Sequence, residues 1–184
     1  MPRKFIDVPR LNVNKAIGIK QLTYITISKN IGGMYVFEKL DAIDSAPFDL
    51  LLLANPSKEL LLKHLESGEC FVYKNNFEVL GCYILKEINK NRIELLDIAV
   101  REDKQGLGIG KKMLSHLFNY VKKSGYTEII VGTGNSSIGQ IAFYQKAGFR
   151  MFEIDFNFFE RNYSKNIYEN GILCRDMIRF LKRV

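Results

Sequence analysis

The strongest constraint on this chain is a change of hydrophobic period. Residues 92–100, Arg-Ile-Glu-Leu-Leu-Asp-Ile-Ala-Val, read as a strand. Met113, Leu114, Leu117, Phe118 and Val121 then recur at the three- and four-residue spacing of an amphipathic helix over about residues 110–124. Between the two lies Gln105-Gly106-Leu107-Gly108-Ile109-Gly110-Lys111. Glycines remove side chains, so several backbone N–H groups can point at one anion, and the helix start adds roughly half a positive charge. Lys104, Lys111 and Lys112 add to that potential. A strand, a turn of this kind and a helix make an α/β unit, whose right-handed crossover sets the next strand parallel to the first. The turn itself describes a pyrophosphate cradle.

The flanking segments extend the pattern. Residues 34–40 form a candidate strand with Tyr35 and Phe37 on one face. Ser45-Ala46-Pro47 opens a short helix whose apolar stretch, residues 48–53, stops at Asn55-Pro56. Ser57 caps a second helix, with Glu59 in its first turn, that ends near Ser67-Gly68. Candidate strands at residues 70–73, 79–87 and 92–100 are joined by the polar turns Lys74-Asn75-Asn76 and Asn89-Lys90-Asn91, as in a meander. Gly125 ends the long helix, and residues 128–131 make a short β-branched strand. Ile138, Ile141, Ala142, Gln145 and Lys146 mark a helix ending at Gly148. Residues 149–156 and 174–181 read as two last strands, separated by a long aromatic loop. The expected order is β-α-α-β-β-β-α-β-α-β-β, an α/β (α+β mixed sheet) fold without repeats.

Composition narrows the setting. With 184 residues, 47% apolar and 26% charged, the chain has globular composition and can bury a core without staples. Cys70, Cys82 and Cys174 form no C-x-x-C pair, and His64 and His116 are the only histidines. Neither a disulfide framework nor a metal centre is expected, and a cytoplasmic location is. The longest uninterrupted apolar run is residues 50–54, far short of the ~20 residues that span a bilayer. Residues 1–10 alternate charge and proline where a signal peptide would be apolar.

The net charge of +7 is uneven. Residues 1–33 hold six basic groups and one acidic group, a net +5, whereas the rest carries 21 basic against 19 acidic, a net +2. The chain therefore divides into a basic N-terminal extension, residues 1–33, and a folded domain, residues 34–184. Ile17, Ile19, Ile25 and Ile27 share one parity, the pattern of an extra edge strand or of a subunit interface in a homodimer. Basicity gathered in an extension, and not on a domain face, gives no footprint for nucleic acid.

Two phosphate-binding fingerprints fail on the glycine turn. A P-loop counted back from Gly110-Lys111 would need glycine at Gln105 and Ser or Thr at Lys112. The dinucleotide pattern counted from Gly106 meets Lys111 at its third glycine. Gln105-x-x-Gly108-x-Gly110 resembles instead the Q/R-x-x-G-x-G/A signature of the GNAT superfamily of acyl-CoA N-acyltransferases. The strand at residues 93–100 sits where that family's fourth strand stands. Gly132-Thr133-Gly134-Asn135, then Ile141-Ala142-Phe143-Tyr144-Gln145-Lys146-Ala147-Gly148-Phe149, is similar to its fifth strand, next helix and YxKxGF end. Residues 134–140 and 169–177 are also similar to a small bacterial subgroup. The resemblance covers residues 34–184.

It implies acetyl-CoA as co-substrate, no metal, and a primary amine of a small molecule or peptide as acceptor, attacked directly in a ternary complex. The strand end Ile98-Ala99-Val100 would meet the pantetheine arm through the backbone of Ile98 and Val100. The turn Gln105-Gly106-Leu107-Gly108-Ile109-Gly110-Lys111 would hold the pyrophosphate, chiefly through the N–H groups of Gln105, Gly106, Gly108, Gly110 and Lys111. Asn135 would meet the pantetheine amide, and Tyr144 would lie beside the CoA sulfur. A non-catalytic acyl-CoA sensor would share all of this except turnover.

Acetyl transfer needs a neutral amine. A lysine-like amine of pKa ~10.4 is neutral in roughly 1 part in 2,500 at pH 7, a penalty of about 4.6 kcal/mol. It also benefits from a proton donor to the departing thiolate, and acid or base groups each supply about 10²–10⁴-fold. Tyr144, a phenol that stays protonated at neutral pH, suits the acid. For the base the resemblance implies Glu94, six residues before Val100, the strand position where some family members keep a catalytic glutamate; strict alternation puts it on one face with Leu96, Ile98 and Val100 and puts Asp97 on the other. The acceptor would enter between the first two helices and residues 157–173, where Phe158, Phe159, Tyr163 and Tyr168 alternate with Glu160 and Glu169 in a composition suited to a cationic amine.

Overall fold

The computed structural model describes residues 26–30 and 33–184. The isoleucine pattern at Ile17, Ile19 and Ile25 lies outside the described residues. Ile27 falls in β1 (Thr26–Asn30), which pairs antiparallel with β2 (Gly33–Lys39) at the sheet edge. Then follow α1 (Phe48–Leu51), α2 (Lys58–Ser67), and the meander β3 (Glu69–Lys74), β4 (Val79–Asn89) and β5 (Arg92–Val100). The second half holds α3 (Ile109–Lys123), β6 (Glu128–Gly134), α4 (Ile138–Lys146) and β7 (Arg150–Asp155). It continues with α5 (Phe158–Asn162), the hairpin β8 (Ile167–Glu169) and β9 (Ile172–Cys174), and finally β10 (Met177–Arg183).

Among the described residues, eight strands form one sheet in the order β1-β2-β3-β4-β5-β6-β10-β7. Of these, β5 and β6 pair in parallel, as the helix between them demands, and the other neighbours pair antiparallel. Helices cover both faces. Met113, Leu114, Leu117 and Val121 of α3 pack with Tyr83, Leu85, Ile93 and Leu95 on one side. On the other, Leu50 and Leu51 of α1 and Leu61 and Leu65 of α2 pack with Val72, Cys82, Ile84 and Ala99. The Ser57 hydroxyl caps α2 by accepting from the Leu60 N–H at 3.3 Å.

Three features depart from the expected order. The aromatic loop contains α5 and a hairpin turned by Asn170-Gly171, both at positive φ (54° and 73°), as an Asn-Gly type I′ turn requires. The strand expected at residues 174–181 is two strands. It is interrupted because the N–H groups of Arg175 and Asp176 donate to Asn135 Oδ1 at 2.8 and 3.0 Å. The third is a β-bulge in β5. Leu95 pairs with Leu85 but Asp97 pairs with Ile84, so Leu96 has no partner on β4. Alternation resets there, and this correction reaches the site. Glu94, Leu96, Asp97 and Ala99 face the α1–α2 side, while Ile98 and Val100 have moved to the α3 side.

The core contains one titrating group with a calculable consequence. His116 on α3 is hydrogen-bonded through Nδ1 to the Tyr83 hydroxyl (2.6 Å) and stacks on Phe37 with ring centroids 4.0 Å apart. Burial, with a smaller push from the Lys123 charge, holds the imidazole down at about 4. Above pH ~6.5 the ring is neutral in both folded and unfolded chains and contributes no pH dependence. Between pH 6.5 and 4 only the unfolded chain takes the proton, so stability falls by up to roughly 3 kcal/mol. Denaturant unfolding at pH 7.5 and 4.5 should show a smaller drop in His116→Gln than in the parent. Equal drops would assign the acid sensitivity elsewhere.

Candidate active site

The bulge also marks where the sheet opens. The β5–β6 ladder runs from Arg92↔Glu128 to Leu95↔Val131 and stops there, although both strands continue. A bulge bends its strand, and beyond it β5 stays on β4 while β6 stays on β10. The resulting cleft has a volume of about 910 Å³. Its walls include residues 96–100 of β5, residues 132–134 of β6, and the first part of α4 with Tyr144.

The glycine turn closes one end. Gly106 and Gly108 sit at φ 74° and 79°, and a Cβ on either would meet nothing within 4 Å, so conformation and not crowding requires glycine. Gly108 is the N-cap of α3 and supplies no side-chain cap. Among the described residues, the six N–H groups from Gly106 to Lys111 donate to no backbone acceptor, whereas the expected Gln105 N–H donates to Glu102 O at 3.2 Å. Gln105 instead braces the turn: its Nε2 donates to Val100 O at 3.1 Å. Residues 105–106 and 108–111 line the cleft, while Leu107 points out to solvent. Of the three lysines, Lys104 lies 3.2 Å from Asp103, Lys112 sits over the Tyr35 ring, and Lys111 lines the cleft without an ion pair among the described residues.

Tyr144 is 4% exposed, packed between the rings of Phe143, Phe149 and Phe180, and still lines the cleft. No hydrogen bond to its hydroxyl occurs among the described residues. Burial first, and the negative charge of Asp97 second, raise its pKa, which keeps the phenol protonated. Asn135 does not line the cleft. Its Nδ2 donates to Leu173 O at 3.0 Å and its Oδ1 accepts the two N–H groups before β10, so the side chain ties β6 to the end of the β8–β9 hairpin. Asn135→Ala should cost about 2–3 kcal/mol, near 1 kcal/mol per lost bond. It should leave coenzyme A affinity within a few-fold, read by thermal unfolding and calorimetry; a large affinity loss at unchanged stability would return Asn135 to the ligand.

A smaller pocket of about 240 Å³ adjoins the cleft on the α2 side, sharing Leu60, Leu96, Gly132, Phe158 and Met177 with it. Glu94 and Arg179 form one wall, with Arg179 Nη1 3.0 Å from Glu94 Oε1. His64 forms another, and its Nδ1 lies 2.6 Å from Oδ2 of Asp97, which is 5% exposed. From the aromatic segment, Phe158, Phe159, Tyr163 and Glu169 reach the cleft. Tyr168 is exposed, and Glu160 pairs with Arg175 at 3.3 Å. Tyr163 donates to Asn55 Oδ1 at 3.1 Å, linking this segment to the α1–α2 connection.

The splayed parallel pair thus lies beside a row of free N–H groups at the start of α3. The family model described as Acetyltransferase (GNAT) family matches residues 37–149. The chain belongs to the GNAT acetyltransferase family. It is 46% identical over 132 residues, 72% of its length and 85% of the relative's, to the uncharacterized N-acetyltransferase YvbK of Bacillus subtilis (strain 168). Among solved structures, a GNAT family acetyltransferase from Elizabethkingia anophelis with acetyl-CoA bound superposes with TM-score 0.79 at 43% identity, covering 82% of this chain and 98% of that one. A Bacillus subtilis acetyltransferase in complex with CoA gives TM-score 0.75 at 42% identity, covering 80% and 97%.

Against this GNAT frame, reading by residue type missed His64 and Arg179. Arg179 sits in a strand whose other residues are apolar or basic, with no local signal. The buried Asp97 was the available clue to His64, since an isolated carboxylate in a core strand must find a donor. Among the described residues no His, Cys, Asp and Glu group is arranged to hold a metal, and no helix is long and apolar enough to cross a membrane.

Proposed function

We propose that the chain is an acetyl-CoA-dependent N-acetyltransferase acting on a primary amine of a small molecule or peptide, by direct attack in a ternary complex. One observation carries the reading: the free N–H row of residues 106–111 and the unbonded Tyr144 hydroxyl open onto the same cleft. The N–H row and Lys111 suit a diphosphate, the unpaired edge of β5 beyond Leu95 suits an amide-bearing arm, and the volume suits both. Acetyl-CoA supplies an activated acyl group. The chain's own part is to hold it against β5 and to donate a proton from Tyr144 Oη to the leaving sulfur. A sensor that only bound acyl-CoA would have no use for a donor placed there.

The test is release of free thiol from acetyl-CoA with spermidine, tyramine, L-lysine, ethylamine and a peptide with a free α-amine. Turnover with at least one of them, and none when the amine is omitted, is expected. Tight coenzyme A binding with no thiol released for any amine would favour the sensor.

A further inference from the structure

Glu94, the strand carboxylate that the family resemblance implies as base, is engaged by Arg179, whose Nη2 also lies 3.6 Å from Asp155. The opposite wall of the small pocket offers a better-prepared group. We propose that His64 takes the proton from the incoming amine and that Asp97 positions it, an inference that rests on the transferase reading above. Asp97 is a buried carboxylate held 2.6 Å from His64 Nδ1. With Asp97 as the acceptor of this contact, Nδ1 carries the hydrogen, and the neutral ring then has its lone pair on Nε2. Among the described residues Nε2 makes no hydrogen bond, and the His64 side chain, one-fifth exposed, opens onto the 240 Å³ pocket beside the cleft. This is the nucleophile–base–orienter logic of hydrolase triads with the acceptor amine as nucleophile.

The bulge builds the pair. With strict alternation Asp97 would face α3; the unpartnered Leu96 turns it toward α2, where His64 waits one turn before the helix end.

The step balances. His64 Nε2 takes a proton from the bound ammonium and passes it to solvent; the neutral nitrogen then bonds to the thioester carbonyl carbon, the carbon–sulfur bond breaks, and Tyr144 Oη gives its proton to sulfur. The proton that the nitrogen loses on becoming an amide returns through solvent to Tyr144 Oη, so one proton is released overall. The products are the amide and coenzyme A thiol, with the chain unchanged.

The charged surroundings of His64 are Asp97 and Glu94 from β5 and Arg179 from β10. Lys63, its neighbour on α2, is paired with Glu59 at 2.7 Å. Cys70, Cys82, Tyr144 and Tyr163 all feel the Asp97 charge and are themselves held protonated. Among these groups His64 is the one with a ring nitrogen that makes no hydrogen bond among the described residues and faces the small pocket.

The experiment compares the full chain with His64→Gln and Asp97→Asn, using ethylamine and 2,2,2-trifluoroethylamine as acceptors. The second amine is neutral at pH 7 and needs no base. With ethylamine both variants should lose about 100-fold or more in kcat/KM, mostly in kcat. With trifluoroethylamine they should stay within about tenfold of the parent. Coenzyme A affinity should be unchanged, which shows each variant folded with its cradle intact. Asp97→Asn keeps the shape and replaces one carboxylate oxygen by an NH2 group, so the group facing Nδ1 loses its capacity for charge. Equal losses for the two amines, or ethylamine turnover unchanged by either substitution, overturn the proposal while leaving the transferase standing. No thiol release by the parent with any amine removes both.

Discussion

Gly108→Glu abolishes acetyl-CoA binding at micromolar concentrations while the protein remains folded: this is the largest effect expected of any single substitution. Gly108 lies at φ 79° where a Cβ meets nothing within 4 Å, so a side chain has room but the backbone is strained. That strain is about 1–2 kcal/mol, and Gly108→Ala measures it alone. The carboxylate adds a charge beside a diphosphate held by neighbouring N–H groups. At about 4 Å and an effective dielectric near 20, that repulsion is about 4 kcal/mol, or roughly 1,000-fold in Kd. Calorimetry with coenzyme A should give a modest loss for Ala and loss of detectable binding for Glu. Similar affinity for Glu and Ala would mean that the diphosphate lies elsewhere.

Tyr144→Phe should lower kcat by about 10²–10⁴-fold with any amine the parent accepts. The hydroxyl makes no hydrogen bond among the described residues, so its removal strands no partner, and the melting temperature should hold or rise slightly. The ring's contacts with Phe143, Phe149 and Phe180 survive the substitution. Coenzyme A affinity should stay within about twofold, because a phenyl ring fills the same wall. A kcat within a few-fold of the parent would make Tyr144 a packing residue and would leave thiolate departure to solvent. Because the phenol is held protonated by burial and by Asp97, no loss of activity from its ionisation is expected up to pH 10.

Most of the scaffold was legible in the chain itself. The period change after Val100 foretold β5, the turn and α3, because a helix and a half-buried strand demand different spacings. Ser57 foretold the start of α2, and positive φ at Gly106 and Gly108 agrees with the reading of a tight turn with exposed amides. The hairpin β8–β9 was also written in the chain, as Asn170-Gly171 between Ile167-Tyr168-Glu169 and Ile172-Leu173-Cys174, but an aromatic-rich stretch hid it. Asn135 shows the limit of reading roles by position. An amide at the end of β6 suits a ligand or a loop equally well, and here the orphan N–H groups of Arg175 and Asp176 claim it.

The amino-acid order alone determined that a strand, a glycine turn and a helix would meet, and hence that a row of backbone N–H groups would be left without backbone partners, since those are local consequences of backbone geometry. Which carboxylate of β5 reaches the acceptor side was decided only in three dimensions. Leu95 and Leu96 are equally good strand residues, so nothing local marks one of them as unpaired. The choice comes from how β4 aligns with both halves of β5, and that single extra residue reverses the faces beyond it, parts β5 from β6 and brings Asp97 to His64.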